Sequence, residues 1–118
     1  MKKSGKLKTI RENHIFSRVY SKGKSFSGRF LVLYCLRNYA GNETKVGITV
    51  SKARGKAVIR NRTRRRIKES LRLLNPFIRE GFFIVVVAKQ PAVTSTFTDL
   101  SDELFDLMKK ASLLGNKE

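Results

Sequence analysis

Five arginines fall within seven consecutive positions, Arg60, Arg62, Arg64, Arg65 and Arg66, inside the stretch SKARGKAVIRNRTRRRIKE that runs from Ser51 to Glu69. Guanidinium groups grip phosphate through paired hydrogen bonds that the lysine ammonium does not match. The chemistry suggested is recognition of a polyanion. On a helical projection Asn61, Arg64, Arg65, Lys68 and Arg72 share one face, and Arg60 and Arg62 flank it. Like charges at i and i+4, as in Arg60 with Arg64 and Arg62 with Arg66, disfavour such a helix in isolation. An anionic partner would offset that repulsion. A merely solvated face mixes acids with bases, and here only Glu69 intervenes.

Residues for bond-breaking chemistry are harder to find. A protein-borne nuclease needs carboxylates clustered around Mg²⁺, or a histidine with a partner. Asp99, Asp102, Glu103 and Asp106 do cluster, but in the first turns of the expected last helix, where the helix dipole accounts for them. His14 has no catalytic companion, and one histidine with one cysteine offers no zinc-ligand spacing. No catalytic residue and no protein metal site is assigned. Cys35 sits in an apolar stretch and reads as a buried structural thiol.

Single-stranded RNA would also want aromatic platforms on which bases stack. Phe16 and Tyr20 share a helical face and Tyr34 lies on an expected strand. From composition alone, packing in the core is the plainer reading for all three.

The elements that must position these residues follow from periodicity. Arg11 to Tyr20 reads as a short amphipathic helix capped by Asn13. SKGKSFSGR reads as a turn-rich connection or short edge strand, and Phe30–Leu36 as a strand. The NYAGNE segment suits a reversal, so Phe30–Leu36 and Lys45–Ser51 are expected to form a hairpin. From Gly55 to Leu74 the period becomes helical, with Ile59, Thr63, Ile67, Ser70, Leu71 and Leu74 on one side. FFIVVVA is another strand. A final helix follows, with Leu100, Leu104, Leu107, Met108, Ala111 and Leu114 as its stripe and a capping box from Thr96 and Asp99. The order predicts an α+β fold, a two-layer sandwich of helices on a mostly antiparallel four-stranded sheet.

With 118 residues, 1–118 should form one domain. Lys and Arg number 26 against 9 Asp and Glu, a formal charge of +17 that favours nucleic acid or an anionic membrane surface as partner. No apolar run approaches the roughly 18 residues of a spanning helix, and MKKSGKLKTIREN lacks the apolar core of a secretory signal. A cytoplasmic location is expected, in keeping with a lone cysteine.

The block GKAVIRNRTRRRIKE resembles the signature of the bacterial ribonuclease P protein family, an SK-x-x-G-x-A-V-x-R-N-R pattern followed by a basic amphipathic helix. The resemblance extends to IRENHIFSRVYSKGKSFSGRFLVLYCL, KVGITVSKARG and FFIVVVAKQPA, and is weakest in the last helix. Arg54, Thr63 and Arg66 depart from it, standing where apolar side chains are common, so the packing of the basic helix is expected to differ locally.

The resemblance implies a protein subunit of ribonuclease P that assists a catalytic RNA subunit in removing the 5′ leader from precursor tRNA. Hydrolysis and its Mg²⁺ would belong to the RNA. Lys52, Lys56, Arg60, Asn61, Arg62, Arg64, Arg65 and Lys68 would bind the RNA subunit, and Phe16, Tyr20, Val32 and Tyr34 would line a cleft for the single-stranded leader. The aromatic residues thereby acquire a stacking role that composition did not favour. The implied fold is ribosomal protein S5 domain 2-like, with a left-handed β-α-β crossover, although parallel crossovers are right-handed in about 98% of cases. Partners would be the ribonuclease P RNA and precursor tRNA, with a monomeric protein and no membrane. The competing readings are a ribosomal protein, which composition does not separate from this one, and a self-sufficient metal-dependent nuclease, which the lack of carboxylates on the basic face disfavours.

Overall fold

The computed structural model describes residues 7–115, so the first six residues of the basic N-terminal stretch and the last three of the chain lie outside the described residues. The chain runs through α1 (Asn13–Lys22), β1 (Lys24–Ser27), β2 (Leu31–Arg37), β3 (Lys45–Thr49), α2 (Ala57–Leu74), β4 (Phe82–Ala88) and α3 (Phe97–Lys110). Short 3₁₀ turns at Lys52–Arg54, Asn75–Phe77 and Gln90–Thr94 join them. The strands form one sheet in the order β1-β2-β4-β3, antiparallel at its first two junctions and parallel at the third. This is the α+β architecture expected, mostly antiparallel and four-stranded.

The expected hairpin of β2 with β3 does not form. β4 lies between them, with Tyr34 and Gly47 both opposite Val85. The chain does reverse after β2, as Asn38, Gly41 and Asn42 suggest, but it leaves a gap one strand wide. Turn residues report a change of direction and not the identity of the neighbour. Because β3 and β4 are parallel neighbours, a crossover must join them, and α2 supplies it.

β4, like β2, has a neighbour on each edge, but it is covered on both faces, which explains its unbroken apolar run: Phe83, Ile84, Val85 and Val86 are all buried. The partly covered β2 instead alternates. Leu31, Leu33 and Cys35 are buried beneath α2 and α3, together with Val46, Ile84, Val86, Ile67, Leu71, Leu100, Leu104, Leu107 and Met108. Val32, Tyr34 and Leu36 point to the other face, where Ile10, Val19, Phe83 and Val85 form a smaller core under α1. Cys35 is a free, buried thiol, and burial pushes its pKa upward.

Helix ends are held unequally. α3 begins with the expected capping box, Thr96 Oγ1 accepting from the Asp99 amide at 3.0 Å. α1 does not begin as expected: Glu12 is its N-cap, with no side-chain cap bond, and Asn13 is already its first residue. Packing of Ile15, Phe16 and Val19 on the sheet, and not capping, holds this helix. Before α1, residues 8–10 lie along the free edge of β3, Ile10 donating to the Val46 carbonyl and Val46 to that of Lys8, both at 2.9 Å.

Candidate nucleic-acid interface

The aromatic residues singled out from sequence come together on the α1 face of the sheet. Tyr20 stands edge-on to Tyr34 with ring centroids 5.0 Å apart, and Phe16 lies 6.4 Å from Tyr20. The Tyr20 hydroxyl and Thr49 Oγ1 lie 2.7 Å apart, which ties α1 to the end of β3. Val32 shares this face two residues before Tyr34, pairs with Val87 and is half-buried. These side chains therefore form a row with one side open, because the short α1 covers only part of the sheet.

Gly47 shows how closely α1 approaches. A Cβ there would sit 2.6 Å from the Phe16 ring, nearer than real Cβ atoms come, so only glycine lets the ring settle on β3. Phe16 also lines a small groove of about 200 Å³ at the edge of β3, with Leu7, Ile10, Gly47, Arg64 and Lys68 among its other walls. One aromatic residue expected in the leader cleft thus meets two cations expected to bind the RNA subunit. The two sets are contiguous.

Most of the basic residues singled out from sequence are exposed, but they do not share one face. Lys52 and Lys56 are exposed in the segment leading into it, and Asn61, Arg62, Arg65 and Lys68 are exposed along it, with Arg64 half-buried. Arg64 Nη1 donates to Asn61 Oδ1 at 3.1 Å, holding one guanidinium against the helix. Arg60 turns inward, its Nε donating to the Gly55 carbonyl at 3.0 Å, so it braces the entry to the helix as well as contributing charge. The basic surface is not one stripe: Arg64 and Lys68 border the groove beside Phe16, whereas Arg62 and Arg65 border a different groove with Arg66 and Phe97.

The three departures from the family pattern have distinct consequences. Thr63 is buried, and its hydroxyl donates to the Ile59 carbonyl four residues back at 3.0 Å, which satisfies it within the helix. Arg66 Nη1 donates to the Ser95 carbonyl at 2.8 Å and Arg54 Nη1 to Gln90 Oε1 at 2.8 Å. Each arginine is therefore a polar tie to the segment after β4 in place of apolar packing.

Two of the four clustered acids on α3 are committed to the fold. Asp99 serves the capping box, and Glu103 accepts from the backbone amides of Arg29, Phe30 and Leu31 at 2.7–2.8 Å. This clamp fastens the turn between β1 and β2 to α3, and the carboxylate comes so near Gly28 that a Cβ there would overlap it. The helix dipole explains Asp99 but not Glu103, whose partners are more than 70 residues away. Among the described residues, no three His, Cys, Asp or Glu side chains converge on a point that could hold a metal ion.

Partly exposed aromatic rings beside cations that have no acidic partner among the described residues can stack bases and neutralise phosphates at once. Comparison with known proteins identifies the family. A family model described as Ribonuclease P matches residues 1–112. The ribonuclease P protein component of Symbiobacterium thermophilum is 40% identical over 114 residues, covering 97% of this chain and 96% of its own. The Staphylococcus aureus ribonuclease P protein superposes with a TM-score of 0.84 at 34% identity, over 93% of this chain and 100% of its own. That of Thermotoga maritima superposes with a TM-score of 0.78 at 26% identity, over 87% and 96%.

Proposed function

Because the chain belongs to the ribonuclease P protein family, we propose that it binds the catalytic RNA subunit and the single-stranded 5′ leader of precursor tRNA, so that the RNA removes the leader by endonucleolytic cleavage. The observation that carries this reading is the continuity of two surfaces: the row of Phe16, Tyr20 and Tyr34 runs into the basic flank of α2 at Arg64 and Lys68. An unpaired strand lying on the row would leave its phosphates within reach of the same helix that engages the RNA subunit. Leader and RNA subunit would then be held side by side.

The family implies a division of labour, and the residues present suit it. Arg62, Arg64, Arg65 and Lys68, helped by Asn61, Lys52 and Lys56 and braced by Arg60, neutralise phosphates of the RNA subunit. A basic α-helix suits this work, since the deep, narrow major groove of A-form RNA closes base edges to it and leaves backbone and shape to be recognised. Phe16, Tyr20, Val32 and Tyr34 receive the leader, stacking being tolerant of sequence. The protein lowers the electrostatic cost of bringing two polyanions together, and the RNA subunit supplies hydrolysis with its own Mg²⁺. The protein works as a monomer in the cytoplasm, and among the described residues no helix is long and apolar enough to cross a membrane.

The test is 5′ cleavage of a precursor tRNA at low Mg²⁺ by the protein alone, by a bacterial ribonuclease P RNA alone and by the two together. Activity confined mainly to the mixture is the expected result. Cleavage by the protein alone would assign hydrolysis to the protein, and a mixture no faster than RNA alone would remove the subunit role.

A further inference from the structure

The flank of α2 away from Arg64 and Lys68 brings two arginines of the basic face, Arg62 and Arg65, beside an aromatic ring that the row of Phe16, Tyr20 and Tyr34 does not include. Arg62, Arg65, Arg66 and Glu69 surround Phe97, the first residue of α3, in an open groove of about 430 Å³. That is a volume typical of small-molecule sites, which span roughly 300–1,000 Å³. Its lining joins one phenyl ring to three arginines and a single acid.

The charges around it are not already spent. Glu69 is the one acid of the groove, and both of its carboxylate oxygens accept from Arg72, from Nε at 3.1 Å and from Nη2 at 2.5 Å. That pairing holds the Glu69 carboxyl below the usual carboxylate range, so it stays ionised and occupied with Arg72. Arg66 is fixed by its bond to the Ser95 carbonyl, which sets its guanidinium against the start of α3. Among the described residues, no side-chain hydrogen bond or ion pair engages the guanidinium of Arg62 or Arg65. The ring is half-buried, and its face is not taken by a cation: Arg37 and Arg79 both lie over Phe82, at 5.6 and 5.7 Å, whereas no cation of the described residues lies over Phe97.

We propose that this groove takes a single unpaired nucleotide of the RNA subunit, its base laid on Phe97 and its flanking phosphates held by Arg62 and Arg65. The inference rests on the RNA-binding reading above and adds a second RNA-binding point, separate from the leader cleft. Each part of the site argues for that occupant. A free phosphate would satisfy the arginines but make no use of the ring beside them. A base-paired helix presents phosphates but no open base face, while an unpaired base carries both a flat apolar surface and adjacent negative charge. Arg66, planar and anchored beside the ring, offers a second surface for stacking.

The chain contains no tryptophan, so Phe97→Trp places a single indole reporter in the groove. A ribonuclease P RNA transcript is titrated into this variant, and its binding to Phe97→Leu and to the parent chain is measured in parallel. Stacking predicts that the indole emission is quenched as the transcript binds. Leucine keeps apolar bulk but removes the ring, so Phe97→Leu should bind roughly 5- to 150-fold more weakly, the range for loss of one stacked base, while its thermal unfolding midpoint stays near the parent's. Emission that saturating transcript leaves unquenched, or full affinity in Phe97→Leu, overturns the proposal. If the parent binds and either of those results appears, the groove alone falls. If the parent does not bind the transcript, the RNA-binding reading falls and takes the groove with it.

Discussion

The two faces of the sheet are built from the same strands and end in different states. On one, Leu31, Leu33, Cys35, Ile84, Val86 and Ala88 are sealed beneath two long helices, and the side chains that α3 brings, Leu100, Leu104, Leu107 and Met108, are fully or almost fully buried. On the other, a ten-residue helix covers only part of the surface, leaving Tyr20 exposed and Val32, Tyr34 and Val87 half-buried. Strand alternation alone would have allowed two closed cores. What differs is the cover, and the unfinished face is where an external chain could complete the packing. Stability and binding should therefore separate by face.

The largest effect is expected on the closed face. Leu104→Ala removes a side chain with no exposure and should cost about 2–5 kcal/mol in chemical denaturation; a cost below that of Tyr34→Ala would break the contrast between the faces. Glu103→Ala should come next, losing about 1.5–3 kcal/mol because three backbone amides lose a charged acceptor. Hydrogen exchange should then accelerate at Arg29–Leu31 before the rest of the sheet, and uniform acceleration would show that the clamp is not local.

On the open face the readout changes from stability to binding. Phe16→Ala and Tyr34→Ala should each weaken holoenzyme binding of leader-bearing precursor by about 1–3 kcal/mol per base unstacked, with mature tRNA little affected. Equal losses for the two substrates would remove the leader assignment. The smallest effect on folding is expected on α2. Replacing Arg64, Arg65 and Lys68 by Ala relieves like-charge repulsion, so stability should hold or rise, while the slope of log binding constant against log salt falls by roughly 0.7–0.9 for each phosphate that is no longer neutralised. An unchanged slope would mean that these side chains do not meet RNA phosphates.

Much of the fold was legible because its signals are local. The helical period of α2, the unbroken apolar run of β4 and the Thr96–Asp99 box each depend on residues within a few positions of one another, and each appears where periodicity or capping places it. Legibility failed where a partner is distant in sequence. The turn before β3 was readable but its pairing was not, because β4 enters the gap from the far side of α2. Glu103 looked like a dipole residue, since nothing near it in sequence marks the amides of Arg29, Phe30 and Leu31 as its partners. The groove beside Phe97 was missed for the same reason. Its arginines were conspicuous, but the ring that gives them a binding geometry belongs to another helix.

By itself, then, the sequence determined the types of the elements, the surplus of positive charge and the identity of the arginine-rich helix, because periodicity and charge density are properties of contiguous residues. The tertiary structure alone decided which strand lies beside which, which face remains partly open, and that the aromatic row meets Arg64 and Lys68 while Arg62 and Arg65 meet Phe97. Those outcomes depend on how α1, α2 and α3 divide the two faces of one sheet, and that division is a competition among long-range interactions that no short window of residues contains.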